Sequence, residues 1–337
     1  MKSSHTRGVV LPLNSYEELD TAVDAARYAE NLGYDFVTMG ETNGRNVPLV
    51  LGLIAERTSS IGLADDVLSP YSRTPSTLGQ TAATLQEISG GRFRLRLGAS
   101  SPALAERWHG VAFERPLRHV REAIDIVRQV QSGERLDYDG EFFSPDTLQL
   151  ESPTPDPPAP VDVAALGPKA TEMTGRFADG WVPQLLPIDA LRDRLEDLRR
   201  GANLADRSSD ELQVTPHLRA CATADGDVAR RHAREHVAFM VARYGPFYRT
   251  AIANAGWADL TETIRDRWND GDRPAAIEAI PDELLDDLVA AGTPETVREQ
   301  LRRFEAIDGV DGVQIGFFGP MDEAERRKTM SVLAPDG

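Results

Sequence analysis

The chain has 337 residues, of which 41% are hydrophobic, and its formal net charge is −17. With 54 acidic against 37 basic residues, it lacks the basic face that a nucleic-acid-binding protein needs. The single cysteine, Cys221, excludes an internal disulfide framework, and no apolar stretch is long enough to cross a membrane. The length allows one large domain or two ordinary ones, with a substantial buried core.

Two further features predict where the protein works. The first seven residues are polar and lead directly into an apolar run, so we expect no signal peptide and a cytoplasmic location. The acidic excess is spread along the chain, as in Asp286-Asp287, rather than collected in one segment. Such a composition is typical of a halophile, because high salt screens the self-repulsion of the surface.

Short apolar runs alternate with helical patterns from the start of the chain. The first helix is predicted to begin at Ser15, an N-cap residue, and to end at Gly33. A later one is predicted to begin after Thr74, because Thr caps helices and Pro75 suits the first helical position. The apolar runs predict eight strands, at 8–12, 36–39, 61–64, 93–97, 161–165, 180–183, 212–222 and 313–318.

Two longer stretches depart from this alternation. Residues 133–160 are polar and rich in proline, which predicts an excursion with a small hairpin at most. Residues 225–290 are mostly helical and are predicted to be an insertion between strands 7 and 8 that covers one end of the sheet. Eight strand–helix units predict an α/β fold, a (β/α)8 TIM barrel, and we expect residues 1–337 to form this single domain.

Small and polar residues follow several of the predicted strands, at the ends where α/β folds usually bind ligands. The acidic pair Asp65 and Asp66 is open to several interpretations: two carboxyls that share a proton, a metal site, or simply two acids in an acidic chain. The residues at these strand ends are Glu41 and Thr42 after the second strand, Asp65, Asp66 and Val67 after the third, and Gly98 and Ala99 after the fourth.

The start of the helix after the fifth strand is a candidate anion site. Gly167 and Pro168 turn the chain into the helix, and Lys169, one of only three lysines, follows them. Unpaired backbone N–H groups and the helix dipole favour an anion at such a position. The same residues also fit a simple turn with a solvated lysine.

Three blocks of the sequence resemble the bacterial-luciferase-like family of barrel oxidoreductases. They are residues 69–98, the strings ALGPKA at 165–170 and GRFADGW at 175–181, and GTPETV at 292–297 together with the last strand. The string SPYSRTP at 69–75 resembles the branch that uses the deazaflavin coenzyme F420, including the archaeal methylenetetrahydromethanopterin reductases. Together with the acidic composition, the resemblance implies a halophilic archaeon as the source.

The resemblance implies that hydride passes between the deazaflavin and a small organic substrate, with a one-carbon-carrying tetrahydropterin or folate as the first expectation. It also implies a homodimer. The ring of F420 is expected to lie against a bulge formed by a cis peptide bond between Asp66 and Val67. Residues expected to bind the cofactor are Glu41, Asp66, Val67, Gly98, Ala99, Gly167, Pro168 and Lys169, with Arg45 and Arg73 as candidates for its anionic tail.

The catalytic positions depart from the family pattern. Relatives often have Asp followed by His where this chain has Glu41 and Thr42. Thr42 cannot act as a general base near neutral pH, whereas Glu41 can exchange a proton if burial raises its pKa. Equally, Glu41 can be an ionised carboxylate bonded to backbone N–H groups. The first strand and the loop after the fourth also lack the acids that some relatives use there.

Two alternative functions therefore stay open: an FMN-dependent monooxygenase on the same barrel, and a non-catalytic protein that binds F420 or a flavin. No metal is expected, although His232, Glu235 and His236 fit an H-x-x-E-H zinc pattern. His217, within the seventh strand, can point into the barrel, but the preferred interpretation is a core or surface residue. Phe239 and Tyr244 either close a pocket or belong to an apolar helical stripe.

Overall fold

Parallel strands form one curled sheet in the computed structural model, which describes residues 5–335. In this part of the chain the sheet has ten strands. The strands are β1 (Thr6–Val10), β2 (Phe36–Met39), β3 (Gly62–Asp65), β4 (Phe93–Leu97), β5 (Val161–Val163), β6 (Gly180–Trp181), β7 (Gln213–Val214), β8 (His217–Ala222), β9 (Ala290–Gly292) and β10 (Gly312–Gly316). Their order in the sheet is β7-β6-β5-β4-β3-β2-β1-β10-β8-β9.

The two halves of the curled sheet meet through the segment that joins β7 to β8. The Thr215 N–H donates to the Trp181 carbonyl at 3.0 Å, and the Asp311 N–H donates to the Val214 carbonyl at 2.9 Å. This segment therefore links β6 to β10, and the parallel sheet confirms the predicted α/β barrel. The prediction of one strand over 212–222 is wrong, because Pro216 has no N–H and interrupts the ladder.

Helices follow the strands and pack outside the sheet. The helices are α1 (Leu19–Asn31), α2 (Val47–Arg57), α3 (Pro75–Ile88), α4 (Pro116–Ser132), α5 (Pro168–Phe177), α6 (Ile188–Asn203), α7 (Gly226–Arg243), α8 (Pro246–Ile252), α9 (Ala258–Asn269), α10 (Arg273–Glu278), α11 (Asp282–Leu288), α12 (Pro294–Glu305) and α13 (Glu323–Val332). Helices α7 to α11 form the predicted insertion. Within residues 5–335, none of the helices has the length and apolar character of a membrane span.

Of the two predicted helix N-caps, Thr74 is confirmed and Ser15 is wrong. The Thr74 hydroxyl accepts a hydrogen bond from the Thr77 N–H, which confirms the predicted N-cap of α3. The prediction for Ser15 is wrong, because Leu13–Ser15 forms a short 3₁₀ turn and α1 begins at Leu19. The excursion at 133–160 contains one antiparallel bridge, between Asp137 and Asp146.

Charged side chains fill the concave side of the sheet beneath the strand ends. Arg96 of β4 donates across the barrel to Gln314 of β10, although three strands separate β4 from β10. Its Nε lies 3.6 Å from Oδ2 of Asp162, which also accepts a hydrogen bond from Arg94 at 3.0 Å. Gln314 in turn donates to Asp66 at 3.2 Å. This polar network lies beneath the carboxylate of Asp66, and all of its members except Arg94 are buried.

Candidate active site

A cavity of about 810 Å³ opens at the carboxyl ends of the strands, within the usual size range of small-molecule sites. Two of the predicted site residues, Pro168 and Lys169, are exposed at the start of α5. They directly follow Gly167, which lines the cavity. The other seven predicted residues line the cavity: Glu41, Thr42, Asp66, Val67, Gly98, Ala99 and Gly167.

The bulge after β3 is anchored by a buried carboxylate. The peptide bond between Asp66 and Val67 is cis, as predicted. Asp65 accepts hydrogen bonds from the Leu68 N–H at 2.7 Å and from the Arg96 N–H at 3.0 Å, and thereby fastens the bulge to β4. Burial raises the pKa of Asp65 to about 7. These backbone bonds favour the structural interpretation of Asp65 over a proton-sharing pair with Asp66.

The bulge needs a glycine on the neighbouring strand end. The side chain of Val67 rests on Gly98, where an added Cβ would lie only 2.4 Å from Cγ2 of Val67. On the other side, an added Cβ at Gly40 would lie 3.1 Å from the Asp66 carbonyl oxygen. The cavity floor is therefore shaped by a bulge, of Asp66 and Val67, that packs against two positions without side chains, Gly40 and Gly98.

The Asp66 carboxylate turns away from solvent toward the barrel interior. Gln314 donates to its Oδ1, and Nδ1 of His217 lies 3.3 Å from its Oδ2 without the alignment of a hydrogen bond. Burial acts to raise the pKa of Asp66, but His217 and the nearby charge of Arg96 outweigh it, and the pKa is lowered overall. Asp66 is therefore an ionised group in the floor of the cavity.

Glu41 has the partners of an ionised carboxylate. Arg73 contacts both carboxylate oxygens, with Nη2 at 2.9 Å from Oε2, and the Val47 N–H donates to Oε2 at 2.9 Å. Arg73 is therefore already paired, and Arg45 donates to three backbone carbonyls of the segment after β1. Thr42 accepts a hydrogen bond from the Asn14 amide at 3.0 Å, which leaves its hydroxyl proton for another acceptor.

Three cavity residues on the side of the helical insertion were given no role in ligand binding by sequence reasoning. His217 and Arg219 alternate along β8 and so face the same side, and His236 enters from α7. The sequence left His217 open to point into the barrel, and the i, i+2 spacing would have extended this interpretation to Arg219. His232 lies 3.9 Å from Glu325 of α13, whereas His236 lines the cavity, so the H-x-x-E-H pattern does not converge on a metal.

In residues 5–335, no three His, Cys, Asp or Glu side chains lie close enough together to bind a metal ion.

The apolar stripe of the insertion lines one side of the cavity. Phe239, Tyr244 and Phe247 all line it, and each has 43% of its surface exposed. Beside them, the Tyr248 hydroxyl donates to the Gln184 side-chain oxygen at 3.1 Å. One wall of the cavity is therefore aromatic.

Burial of His236 makes stability depend on pH. Its pKa lies well below 6.5 because burial and the nearby Arg219 disfavour the charged form. The unfolded chain takes up this proton near pH 6.5, so the free energy of unfolding should fall as the pH drops below that value. We expect the free energy of unfolding, measured with urea, to fall less in His236→Asn than in the parent protein when the pH is lowered from 7.5 to 5.5. The exposed His109 offers the control His109→Asn, and equal losses in all three proteins would contradict this explanation.

A parallel barrel with a ligand cavity at its strand ends, floored by a carboxylate-bearing bulge, defines an enzyme of the TIM-barrel class. Residues 4–311 match the family model described as luciferase-like monooxygenase. The chain therefore belongs to the luciferase-like monooxygenase family of oxidoreductases.

The relatives agree with this assignment over nearly the whole chain. The chain is 28% identical over 333 residues to 5,10-methylenetetrahydromethanopterin reductase of Archaeoglobus fulgidus, which covers 97% of this chain and 96% of the relative. It is 30% identical over 301 residues to a putative coenzyme F420-dependent oxidoreductase of Mycobacterium tuberculosis, covering 82% and 85%. The solved F420-dependent tetrahydromethanopterin reductase of Methanopyrus kandleri superposes with a TM-score of 0.84 at 22% identity, covers 98% of each chain, and supports the fold.

Proposed function

We propose that this protein is a coenzyme F420-dependent oxidoreductase that transfers hydride between the deazaflavin and a small organic substrate. The observation that carries the proposal is the cavity floor, where Val67 rests on Gly98 above the ionised Asp66. Two relatives whose names include F420 or methanopterin chemistry match the chain over most of its length. Their names make a one-carbon-carrying tetrahydropterin or folate the first substrate to test.

The residues present fit the cofactor. A flat tricyclic ring needs a floor from which no side chain protrudes far. Gly98 and Gly40 meet this need because they leave room for Val67 and for the Asp66 carbonyl to pack down against the neighbouring strand ends. An anionic phosphate needs N–H donors and positive charge, which the start of α5 and Lys169 offer at the edge of the cavity. When bound, F420 supplies a ring carbon that accepts or donates hydride.

The chain's own residues bind and orient, and they exclude water. Val67 and Gly98 fix the height of the floor, and the aromatic wall of α7 and α8 covers the cavity from the opposite side. Glu41 serves as a positioning residue, because its pairing with Arg73 holds the segment after β2 in place. The Thr42 hydroxyl faces the same cavity and is free to donate a hydrogen bond to a bound ligand.

Lys169 provides a direct test of the phosphate site. We expect Lys169→Gln to weaken F420 binding about 5- to 20-fold, the effect of one charge-assisted hydrogen bond. The matched control is Lys328→Gln on α13, which lies outside the cavity lining. Binding is measured by titrating the absorbance of oxidised F420. Equal affinity of the Lys169 variant and the parent would leave the simple turn as the better interpretation.

Turnover is tested with reduced F420 and a panel of one-carbon-carrying pterins and folates, followed by the return of deazaflavin absorbance. The proposal requires oxidation of reduced F420 that depends on an added substrate. Tight F420 binding without turnover on any substrate would favour a non-catalytic binding protein. Retention of FMN together with oxygen uptake would favour a monooxygenase instead.

A further inference from the structure

Arg219 points a guanidinium into the cavity with few partners of its own. It lies on β8, and the surface that it keeps is part of the cavity lining. Its Nη1 donates to the Phe317 carbonyl, whereas its Nε is buried and has no hydrogen-bond partner. Within residues 5–335, no carboxylate lies within 4.0 Å of this guanidinium. In a chain with so many acids, such an arginine stands out.

The acidic groups around Arg219 either have other partners or lie beyond ion-pair distance. Asp66, from the end of β3, is bound by Gln314 and faces His217. Glu235 of α7 lines the cavity but is beyond ion-pair distance of Arg219. Burial lowers the pKa of Arg219, which is the sign of a charge that the protein solvates poorly. A poorly solvated charge without a counter-ion is costly, so the site favours an anion supplied by a ligand.

The wall beside Arg219 is suited to a flat apolar body. Tyr244 and Tyr248 lie close enough to Arg219 to act on its pKa, which they raise. The ring centroids of the two tyrosines are 5.7 Å apart. Phe239 packs on Tyr244 at 6.3 Å between centroids, and it remains partly exposed toward the cavity. Aromatic groups next to a cation recognise molecules that combine a ring with an acid.

We propose that Arg219 is the specificity-determining residue for a substrate that carries a carboxylate on an aromatic body. The planar guanidinium can donate two parallel hydrogen bonds to a carboxylate, and the aromatic residues of α7 and α8 cover the ring. The assignment of this site to the substrate rests on the proposed function, in which F420 occupies the opposite side between the bulge and α5.

The test uses benzoate and its neutral analogue benzamide as probes, with the full chain in the absence and presence of F420. Affinities are measured by calorimetric titration and checked by the shift in melting temperature. We expect benzoate to bind about 10-fold or more tightly than benzamide, the discrimination given by a charged hydrogen bond. Equal affinities of the two probes for the parent protein would overturn the proposal without any variant.

Two variants locate the binding. Arg219→Gln should weaken benzoate binding about 10- to 100-fold and leave benzamide binding unchanged, whereas Arg243→Gln, an exposed arginine at the end of α7, should leave both unchanged. Unchanged benzoate binding in Arg219→Gln would overturn the proposal. Competition between benzoate and F420 would do so as well, because it would assign Arg219 to the carboxylates of the cofactor tail. Failure of F420 to bind, with benzoate discrimination retained, would instead contradict the proposed function alone.

Discussion

Gly98→Ala is expected to weaken F420 binding by about 10- to 100-fold. An added Cβ would lie 2.4 Å from Cγ2 of Val67, so the valine must move into the space assigned to the cofactor ring. Val67 cannot yield by a small rotation, because a β-branched side chain has few allowed rotamers. Overpacking of this kind costs about 1–3 kcal/mol, which corresponds to the stated loss of affinity.

The matched control for this variant is Gly319→Ala. Gly319 also borders the cavity, but an added Cβ there meets no atom within 4 Å. We expect it to bind F420 as the parent does, in the same absorbance titration. A second variant, Gly98→Ala combined with Val67→Ala, should recover most of the lost affinity because it removes the clashing methyl group. Full affinity in the single Gly98 variant would show that the cofactor does not lie over Val67.

Asp65→Ala is expected to lower the free energy of unfolding by about 3 kcal/mol. The carboxylate is fully buried and accepts two backbone hydrogen bonds, and its removal leaves the Arg96 N–H without an acceptor. A buried N–H left unpaired costs about 1–3 kcal/mol, in addition to the lost bonds and the cavity. Urea unfolding measures the effect, and a loss of this size is a large part of the stability of a typical domain.

Asp20→Ala is the control for loss of an acid at an exposed site. Asp20 pairs with Arg57 at 2.9 Å, and 74% of its side chain is exposed, so its removal should cost less than about 1 kcal/mol. If Asp65→Ala were as harmless as Asp20→Ala, the bulge would not depend on Asp65. The anchoring role assigned to Asp65 would then be wrong.

The sequence was sufficient to place the residues at the strand ends beside one another, where they line the cavity. Glu41, Asp66 and Gly98 follow apolar runs whose limits are clear, and parallel strands bring their carboxyl ends to one side of the barrel. The cis bond at Asp66-Val67 came from the family resemblance, since no local pattern of residues indicates it. The barrel itself followed from the alternation of strands and helices.

The side of the cavity built by the insertion was beyond sequence reasoning. The sequence left an inward direction of His217 open, but a histidine in the core and one that lines a cavity have the same strand pattern, and the position of Arg219 at the cavity was not foreseen. The aromatic stripe with Phe239 and Tyr244 has the same helical spacing whether it packs in a core or faces a ligand. The pairing of Glu41 with Arg73 joins residues 32 positions apart, a contact that only the folded chain determines.

The most direct test of the central claim is native mass spectrometry of the purified chain with F420 and FMN at equal concentrations. The proposed cavity predicts one F420 per chain, with reduced occupancy in Gly98→Ala and unchanged occupancy in Gly319→Ala. Preferential retention of FMN by the parent protein would contradict the account.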